Sequence, residues 1–302
     1  MPKIIETVPN FSEGRRGEVV QAIVEAVRNT PGGARVLDIS SDADHNRSVL
    51  TLAGEEAQVR ASILALFEAA LEHIDLRKHS GGHPRLGAVD VVPFVPVQGV
   101  TMADCARLAR SIGEEVAGRF RLPVYLYEEA ATAEHRRNLA EVRKGEFEGL
   151  PRKMKDPLWA PDFGPAEPHP SAGAAVIGAR EFLIAFNVNL ATPDVQIADK
   201  IARAIRHSSG GLRYCKAMGV ALSERRIAQV SINMVNFKKT PLHRVVEMIR
   251  SEAARYGVNV VGSEIVGLVP NDALLAAADF YLRLEGFRVS QVLENRLAEP
   301  GE

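Results

Sequence analysis

The sequence predicts an α+β fold with two subdomains. Short apolar, β-branched runs alternate with segments in which apolar residues recur every three or four positions. Several predicted strands follow one another as hairpins, which favours two α+β sandwiches over one doubly wound parallel sheet. The 302 residues suffice for two units of about 150 residues each. We therefore predict one subdomain over residues 1–180 and a second over residues 181–302.

The first half begins with a strand and an amphipathic helix. Val20, Ile23, Val24 and Val27 fall at i, i+3, i+4 and i+7 and so form one apolar helix face. The helix is predicted to end at residues 30–33, which contain a proline and two glycines. Strands are predicted at residues 4–8, 36–39, 48–53, 91–97 and 124–127, and further helices at residues 59–74, 102–120 and 131–142. Residues 145–172 are rich in proline and glycine, so we expect an irregular, functional loop or a linker there.

The second half starts with an apolar strand at residues 182–190. Further strands are predicted at residues 214–222, 226–237 and 258–263, and helices at residues 241–256 and 270–283. Residues 99–109 resemble residues 267–277, because each segment starts with glycine at a strand exit and carries Asp at its sixth place. This similarity indicates a duplicated pattern.

Composition excludes several classes of protein. With 46% hydrophobic and 25% charged residues and a net charge of -1, the chain has no global field for nucleic acid or membrane partners. No apolar run approaches the roughly 20 residues of a membrane span, and the N-terminus lacks a signal peptide. Cys105 and Cys215 lie far apart and form no CxxC pair, so we expect a reducing, cytoplasmic setting.

A glycine-rich loop at residues 77–90 carries two histidines, His79 and His83. Its glycines disfavour a helix, and Pro84 keeps His83 out of the α region. The loop runs into a predicted strand, and loops on rigid scaffolds often carry chemistry. A histidine can move protons near neutral pH, although one in a turn can also be a solvated or capping residue. The four-residue spacing suggests a metal pair only on a helix, so we predict no metal.

A polar segment lies between two predicted strands of the first half. Its charged and amide residues are Asp38, Asp42, Asp44, His45, Asn46 and Arg47. They are explained either by turn chemistry or by a site for a charged substrate, with Arg47 as a carboxylate clamp.

Asparagines mark a second polar region. Asn187 and Asn189 alternate along an apolar strand and therefore share a face, which could line a cleft. Asn10 stands at the end of the first strand. Residues 164–173 match neither a P-loop nor a Rossmann fingerprint.

Taken in order, several segments resemble the glutamate formimidoyltransferase family. They are residues 8–14 (VPNFSEG), 45–48 (HNRS), 82–90 (GHPRLGAVD), 93–101 (PFVPVQGVT), 123–127 (PVYLY), 159–165 (WAPDFGP) and 185–190 (AFNVNL). The resemblance extends to about residue 297. In animals this activity forms the N-terminal part of a bifunctional formimidoyltransferase–cyclodeaminase, so the chain resembles the stand-alone form.

The resemblance implies a fold and a reaction. The fold would be two α/β subdomains with mixed sheets that face each other, a ferredoxin-like duplication with the helices outside. The reaction would transfer the formimidoyl group of N-formimidoyl-L-glutamate to N5 of tetrahydrofolate in histidine degradation. Tetrahydrofolate would be a co-substrate, the protein a cytoplasmic homodimer, and any cyclodeaminase a separate partner. Two alternatives are an N-formyl-L-glutamate-dependent formyltransferase and a non-catalytic folate-binding protein.

The resemblance also implies site residues. His83 matches the family's catalytic histidine. The folate-binding segment would comprise Gly164, Pro165, Ala166, Glu167, Pro168, His169, Pro170, Ser171, Ala172 and Gly173. The candidates for binding the substrates are Asn10, Asn46, Arg47, Arg85, Asn187 and Asn189. The animal enzymes carry an acid where this chain has Ser40, so we expect Asp42 or Asp44 to orient His83, with Asp38 and Asp90 as further candidates.

Overall fold

The computed structural model describes residues 2–298 of the chain. The chain divides into two compact units, Met1–Glu181 and Phe182–Glu302. Each unit has its own β-sheet and its own apolar core, so the predicted α+β class is confirmed. No helix within the described range is both long and apolar enough to cross a bilayer.

Unit 1 is built from seven strands and five α-helices in the described part of the chain. The strands are β1 (Ile4–Thr7), β2 (Asn10–Phe11), β3 (Arg35–Asp42), β4 (Arg47–Gly54), β5 (Val89–Gln98), β6 (Val124–Glu128) and β7 (Ala175–Ala179). The helices are α1 (Gly17–Arg28), α2 (Glu56–His73), α3 (Met102–Phe120), α4 (Leu139–Arg143) and α5 (Glu146–Lys153).

The sheet of unit 1 is mixed. β3 pairs with β4, both β1 and β2 lie between β4 and β5, and all of these pairs are antiparallel. β7 then pairs with β5 and with β6 in parallel. Burial on both sides suits such central parallel strands, and β7 is completely buried.

The main core of unit 1 lies between the sheet and the helices α1, α2 and α3. The predicted apolar stripe of α1 is confirmed, because Val20, Ile23, Val24 and Val27 are all buried. They belong to the same core as Leu50 of β4. A smaller cluster around Tyr125 and Tyr127 of β6 packs with Leu150 of α5.

Unit 2 repeats the pattern with a shorter chain. Its elements are β8 (Ile184–Leu190), α6 (Val195–Ile205), β9 (Cys215–Leu222), β10 (Ile227–Met234), α7 (Leu242–Ala254), β11 (Val260–Val266), α8 (Asn271–Leu282) and α9 (Leu293–Ala298). The described sheet has the order β11-β8-β10-β9 and is antiparallel throughout, so the predicted mixed pairing holds for unit 1 alone.

The two units share a βαββαβ order. When β1 and β2 are counted as one interrupted strand, the first four strands of both units lie in the order 4-1-3-2, and unit 1 adds α3, β6, α4, α5 and β7. This order is that of a ferredoxin-like motif, so the predicted duplication is visible in the topology.

Two sequence predictions between β6 and β7 are wrong. Residues 131–142 are mostly not helical, because a 3-10 turn at Glu134–Arg136 precedes the short α4. Asn138 caps α4 by accepting a hydrogen bond from the Ala140 amide, which sets the helix start at Leu139. Residues 145–172 are not wholly irregular, because α5 forms there despite Pro151.

Candidate active site

The histidine loop joins a 3-10 turn at Leu76–Lys78 to β5. Its exit is fixed by a close backbone approach between Gly87 and Gly173, which form a bridge. A Cβ on Gly87 would lie 2.1 Å from the Ala174 carbonyl oxygen, and one on Gly173 would lie 2.1 Å from the Leu86 carbonyl oxygen. Only glycine permits this approach.

His83 has a defined tautomer. Its Nδ1 lies 2.7 Å from the Pro84 carbonyl oxygen, which can only accept a hydrogen bond, so Nδ1 carries the proton. Its Nε2 therefore accepts a hydrogen bond from Nη1 of Arg47 at 2.6 Å. Burial, with the charges of Arg47 and Arg143, lowers the pKa of His83 to about 4. The ring is thus neutral at pH 7, and Nε2 is its basic atom.

Arg47 is a cation without a carboxylate partner among residues 2–298. It opens β4, is half-buried, and forms no ion pair there, while its buried Nε has no hydrogen-bond partner in the same range. Burial first, and then the charge of Arg143, lower its pKa against the opposing charges of Asp90 and Asp42, neither of which forms an ion pair with it within residues 2–298. The hydrogen-bond donors and the charge of such a desolvated guanidinium are only partly compensated, and a bound carboxylate would compensate both.

Arg85, in contrast, is already neutralised by the protein. It is 7% exposed and donates to Glu146 at 2.8 Å and to Glu148 at 2.6 Å. Its Nε also donates to Nδ1 of His79 at 3.2 Å, and Nε2 of His79 donates to the Asn46 carbonyl oxygen at 2.9 Å. Arg85 therefore stabilises the histidine loop. Its donors are already used by protein acceptors, so no free pair of N–H groups supports its predicted role in binding substrate.

Asn46 connects three segments of unit 1. Its Oδ1 accepts from the Gly14 amide at 2.9 Å, and its Nδ2 donates to the Ser80 carbonyl oxygen at 3.0 Å. It adopts φ 49°, a left-handed conformation that asparagine tolerates. The side chain is buried, and its oxygen and one of its two N–H groups bind backbone, so Asn46 holds these segments together, and its predicted contact with substrate stays a prediction.

The acids predicted to orient His83 do not contact it. Asp42 pairs with His45, with 2.8 Å between Oδ2 and Nδ1. The Asp44 carbonyl oxygen accepts from the Gly82 amide at 3.0 Å. Asp90 is buried, accepts from the Leu86 amide at 2.7 Å, and pairs with Arg143. The atom that orients the ring is thus the Pro84 carbonyl oxygen, which no side-chain pattern encodes.

The predicted folate-binding segment flanks the histidine loop. The Leu76 amide donates to the Ser171 carbonyl oxygen at 2.7 Å, and the Ala88 amide donates to the Ala172 carbonyl oxygen at 3.0 Å. Nδ1 of His169 accepts from two backbone amides of the segment, at 3.1 and 3.4 Å. Its Nε2 therefore carries the proton and can donate to a ligand. Residues 164, 166, 167 and 170 are exposed.

The remaining predicted asparagines lie on β2 and β8. Asn10 is in β2 and donates to the Val8 carbonyl oxygen at 3.0 Å. Asn187 and Asn189 are paired with Ser231 and Gln229 of β10, so their shared face is confirmed by the sheet register.

Sequence reasoning missed two residues on this face of unit 2. Gln229 is 4% exposed and its Nε2 donates to Asn189 and to Glu264, both at 2.9 Å. Asn187 donates to the same oxygen of Glu264 at 2.9 Å. The alternation of polar and apolar residues in β10 was the available signal for Gln229.

The fold and the site together define a duplicated βαββαβ protein in which a neutral histidine lies beside a cation that forms no ion pair within residues 2–298. Comparison with known proteins then assigns the family. The model described as "Formiminotransferase domain, N-terminal subdomain" matches residues 4–180, and the model "Formiminotransferase domain" matches residues 185–297. The chain belongs to the formiminotransferase family.

Relatives of the chain carry consistent names. It is 50% identical to the glutamate formimidoyltransferase of Streptococcus pyogenes serotype M1, over 98% of this chain and 99% of that protein. It is 46% identical to the glutamate formimidoyltransferase of Thermoplasma acidophilum, over 97% of both chains. The formimidoyltransferase-cyclodeaminase of Sus scrofa is 46% identical over 96% of this chain and 54% of its own length.

Proposed function

We propose that the chain is a glutamate formimidoyltransferase. It transfers the formimidoyl group from N-formimidoyl-L-glutamate to N5 of tetrahydrofolate and releases L-glutamate. The observation that carries this proposal is the pair of His83 and Arg47, because a neutral base lies beside a cation suited to an anionic substrate. The family and the names of full-length relatives support the same reaction.

His83 acts first as a base and then as an acid. N5 of the folate attacks the amidine carbon and its proton passes to Nε2 of His83. The C–N bond to glutamate then breaks, and the same proton goes to the departing nitrogen. Such proton transfer contributes roughly 10²–10⁴-fold, and alignment of the two substrates supplies a further share.

Arg47 binds a carboxylate of the glutamyl donor. It is the cation at the site that lacks a counter-ion within residues 2–298, whereas Arg85 and Arg143 are paired with protein carboxylates. A guanidinium and a carboxylate form two parallel hydrogen bonds, which would also fix the orientation of the donor.

Two regions, each taken by itself, are candidates for binding tetrahydrofolate: residues 164–173 of unit 1 and the polar face of unit 2. In the first region Nε2 of His169 is a free donor beside exposed backbone. In the second, Glu264 is held by two amide donors and can accept from the amino group and N3–H of a pterin. Asn187 and Asn189 complete this face, whereas Asn10 has its amide donor on the Val8 carbonyl oxygen.

The proposed setting is histidine degradation in the cytoplasm, with the chain acting as a homodimer. The relative from Sus scrofa is also named for a cyclodeaminase, and a cyclodeaminase is a proposed partner of this chain. The domain boundary is proposed at residues 180 and 181.

The test is glutamate release from N-formimidoyl-L-glutamate and tetrahydrofolate, measured for wild type and for His83→Ala. We expect wild type to turn over and the variant to lose about 10²-fold or more in kcat. His207→Ala is the matched control, because His207 is an exposed histidine of unit 2. Turnover with N-formyl-L-glutamate alone would identify a formyltransferase instead. Folate binding without turnover of either donor would identify a binding protein.

A further inference from the structure

The basic atom of His83 is occupied in the free protein. Nε2 accepts from Nη1 of Arg47 at 2.6 Å, so its lone pair points at a cation. The proposed reaction needs this lone pair for the proton of N5. The eight residues that line this point leave no space between them large enough for a water molecule, so no substrate pocket is open here. The inference that follows rests on the proposed function, because it concerns how the same site becomes active.

The neighbouring ionisable groups form their hydrogen bonds with partners other than Arg47. The titratable groups around His83 are Arg47 and His45 at the β3–β4 turn, His79 and Arg85 in the loop, Asp90 in β5 and Arg143 in α4. Asp90 pairs with Arg143, Asp42 with His45, and Arg85 with two glutamates. Within residues 2–298, Arg47 is thus left with a neutral imidazole as its acceptor.

A carboxylate is a better acceptor than an imidazole for this guanidinium. Hydrogen bonds between two ionised partners are roughly twice as strong as those between neutral ones, and a carboxylate can accept two in parallel. The incoming group would also neutralise a buried charge, which a neutral imidazole cannot do. We propose that Arg47 masks Nε2 of His83 in the free enzyme and that a carboxylate of the glutamyl substrate unmasks it by taking over the guanidinium.

Unmasking changes the strength of the base. Once Arg47 is neutralised by a carboxylate, it no longer disfavours a proton on His83, so the pKa of His83 rises from about 4 when the donor is bound. The base becomes available and stronger at the moment at which it is needed. Arg47 is therefore a positioning residue for His83 as well as a ligand for the donor.

The direct test is the titration of His83 by NMR, with L-glutamate as the probe. In free wild type we expect titration near pH 4, and in saturating L-glutamate a shift upward by one unit or more. In Arg47→Met the free protein should already titrate at the higher value, and glutamate should cause no further shift. Arg119→Met, at an exposed arginine paired with Glu68, should behave as wild type.

A kinetic measurement needs no variant. The acid limb of kcat/KM reports the free enzyme and that of kcat reports the complex. We expect the acid limb of kcat to lie at higher pH than that of kcat/KM. The masking proposal is overturned if the two acid limbs coincide, or if glutamate does not change the pKa of His83, even when the enzyme catalyses the transfer. A shift caused by glutamate in a chain that transfers no formimidoyl group would instead support the masking and reject the function.

Discussion

At the scale of single residues, the proposed chemistry depends on which nitrogen of His83 carries its proton. A backbone carbonyl fixes that choice through Nδ1, and Arg47 meets the other nitrogen. His79 has the opposite tautomer, because its Nε2 donates to the Asn46 carbonyl oxygen. Two histidines four residues apart thus make different contacts: His83 accepts from Arg47, whereas His79 links Arg85 to the backbone of Asn46.

A second residue-scale effect concerns Glu6 in β1. This side chain is 5% exposed, and burial raises its pKa from 4.5 to about 7, against the opposing charge of Arg180. The folded state therefore binds the proton more tightly than the unfolded chain. The resulting stability is present below about pH 4.5 and is lost as the pH rises to about 7.

We predict that Glu6→Gln removes this loss. At about 1.4 kcal/mol per pKa unit, the variant should gain at most about 3 kcal/mol over wild type at pH 8 and almost nothing at pH 4. Urea unfolding at the two pH values measures the difference. Glu72→Gln, at an exposed glutamate, is the control and should show no such pH dependence. Equal gains at both pH values would contradict the explanation.

At the scale of elements, the approach of Gly87 and Gly173 holds the histidine loop against residues 164–173. Gly173 adopts φ +68° and leaves no room for a Cβ beside the Leu86 carbonyl oxygen. We predict that Gly173→Ala destabilises the protein by more than about 3 kcal/mol, since both strain and overlap oppose it.

Gly257 provides a matched control for this prediction. It has φ +65°, but no atom lies within 4 Å of the position of its Cβ. Gly257→Ala should therefore cost only the roughly 1–2 kcal/mol of a left-handed alanine. Thermal unfolding of both variants separates the strain of the left-handed backbone from the overlap of the new Cβ with its neighbours. Equal losses of stability in the two variants would contradict a role for the overlap.

At the scale of the whole molecule, the fold was largely predictable because it rests on periodic apolar patterns. The helix face of α1 and the alternation in β8 gave the correct elements. The similarity of residues 99–109 to 267–277 also has a structural counterpart. Gly99 and Gly267 follow the fourth strand of each βαββαβ unit, and both adopt positive φ, at 62° and 76°.

The candidate site was predictable only where it depends on the type of a side chain. The sequence named His83 and Arg47, but the orientation of His83 by a carbonyl oxygen leaves no trace in residue types. The sequence also could not reveal that Arg85 pairs with Glu146 and Glu148, because these glutamates lie more than 60 positions further along the chain. β7 was missed because its short run of small apolar residues has no period of its own.

The backbone hydrogen bonds between the histidine loop and residues 164–173 have a consequence for ligand binding. Leu76 and Ala88 donate to Ser171 and Ala172, so we expect a ligand that orders one of these segments to restrict the other as well. If folate binds residues 164–173 as proposed and orders them, less conformational entropy would be lost when the glutamyl donor binds at the histidine loop. Each ligand would then tighten the other by the same factor, as reciprocal linkage requires.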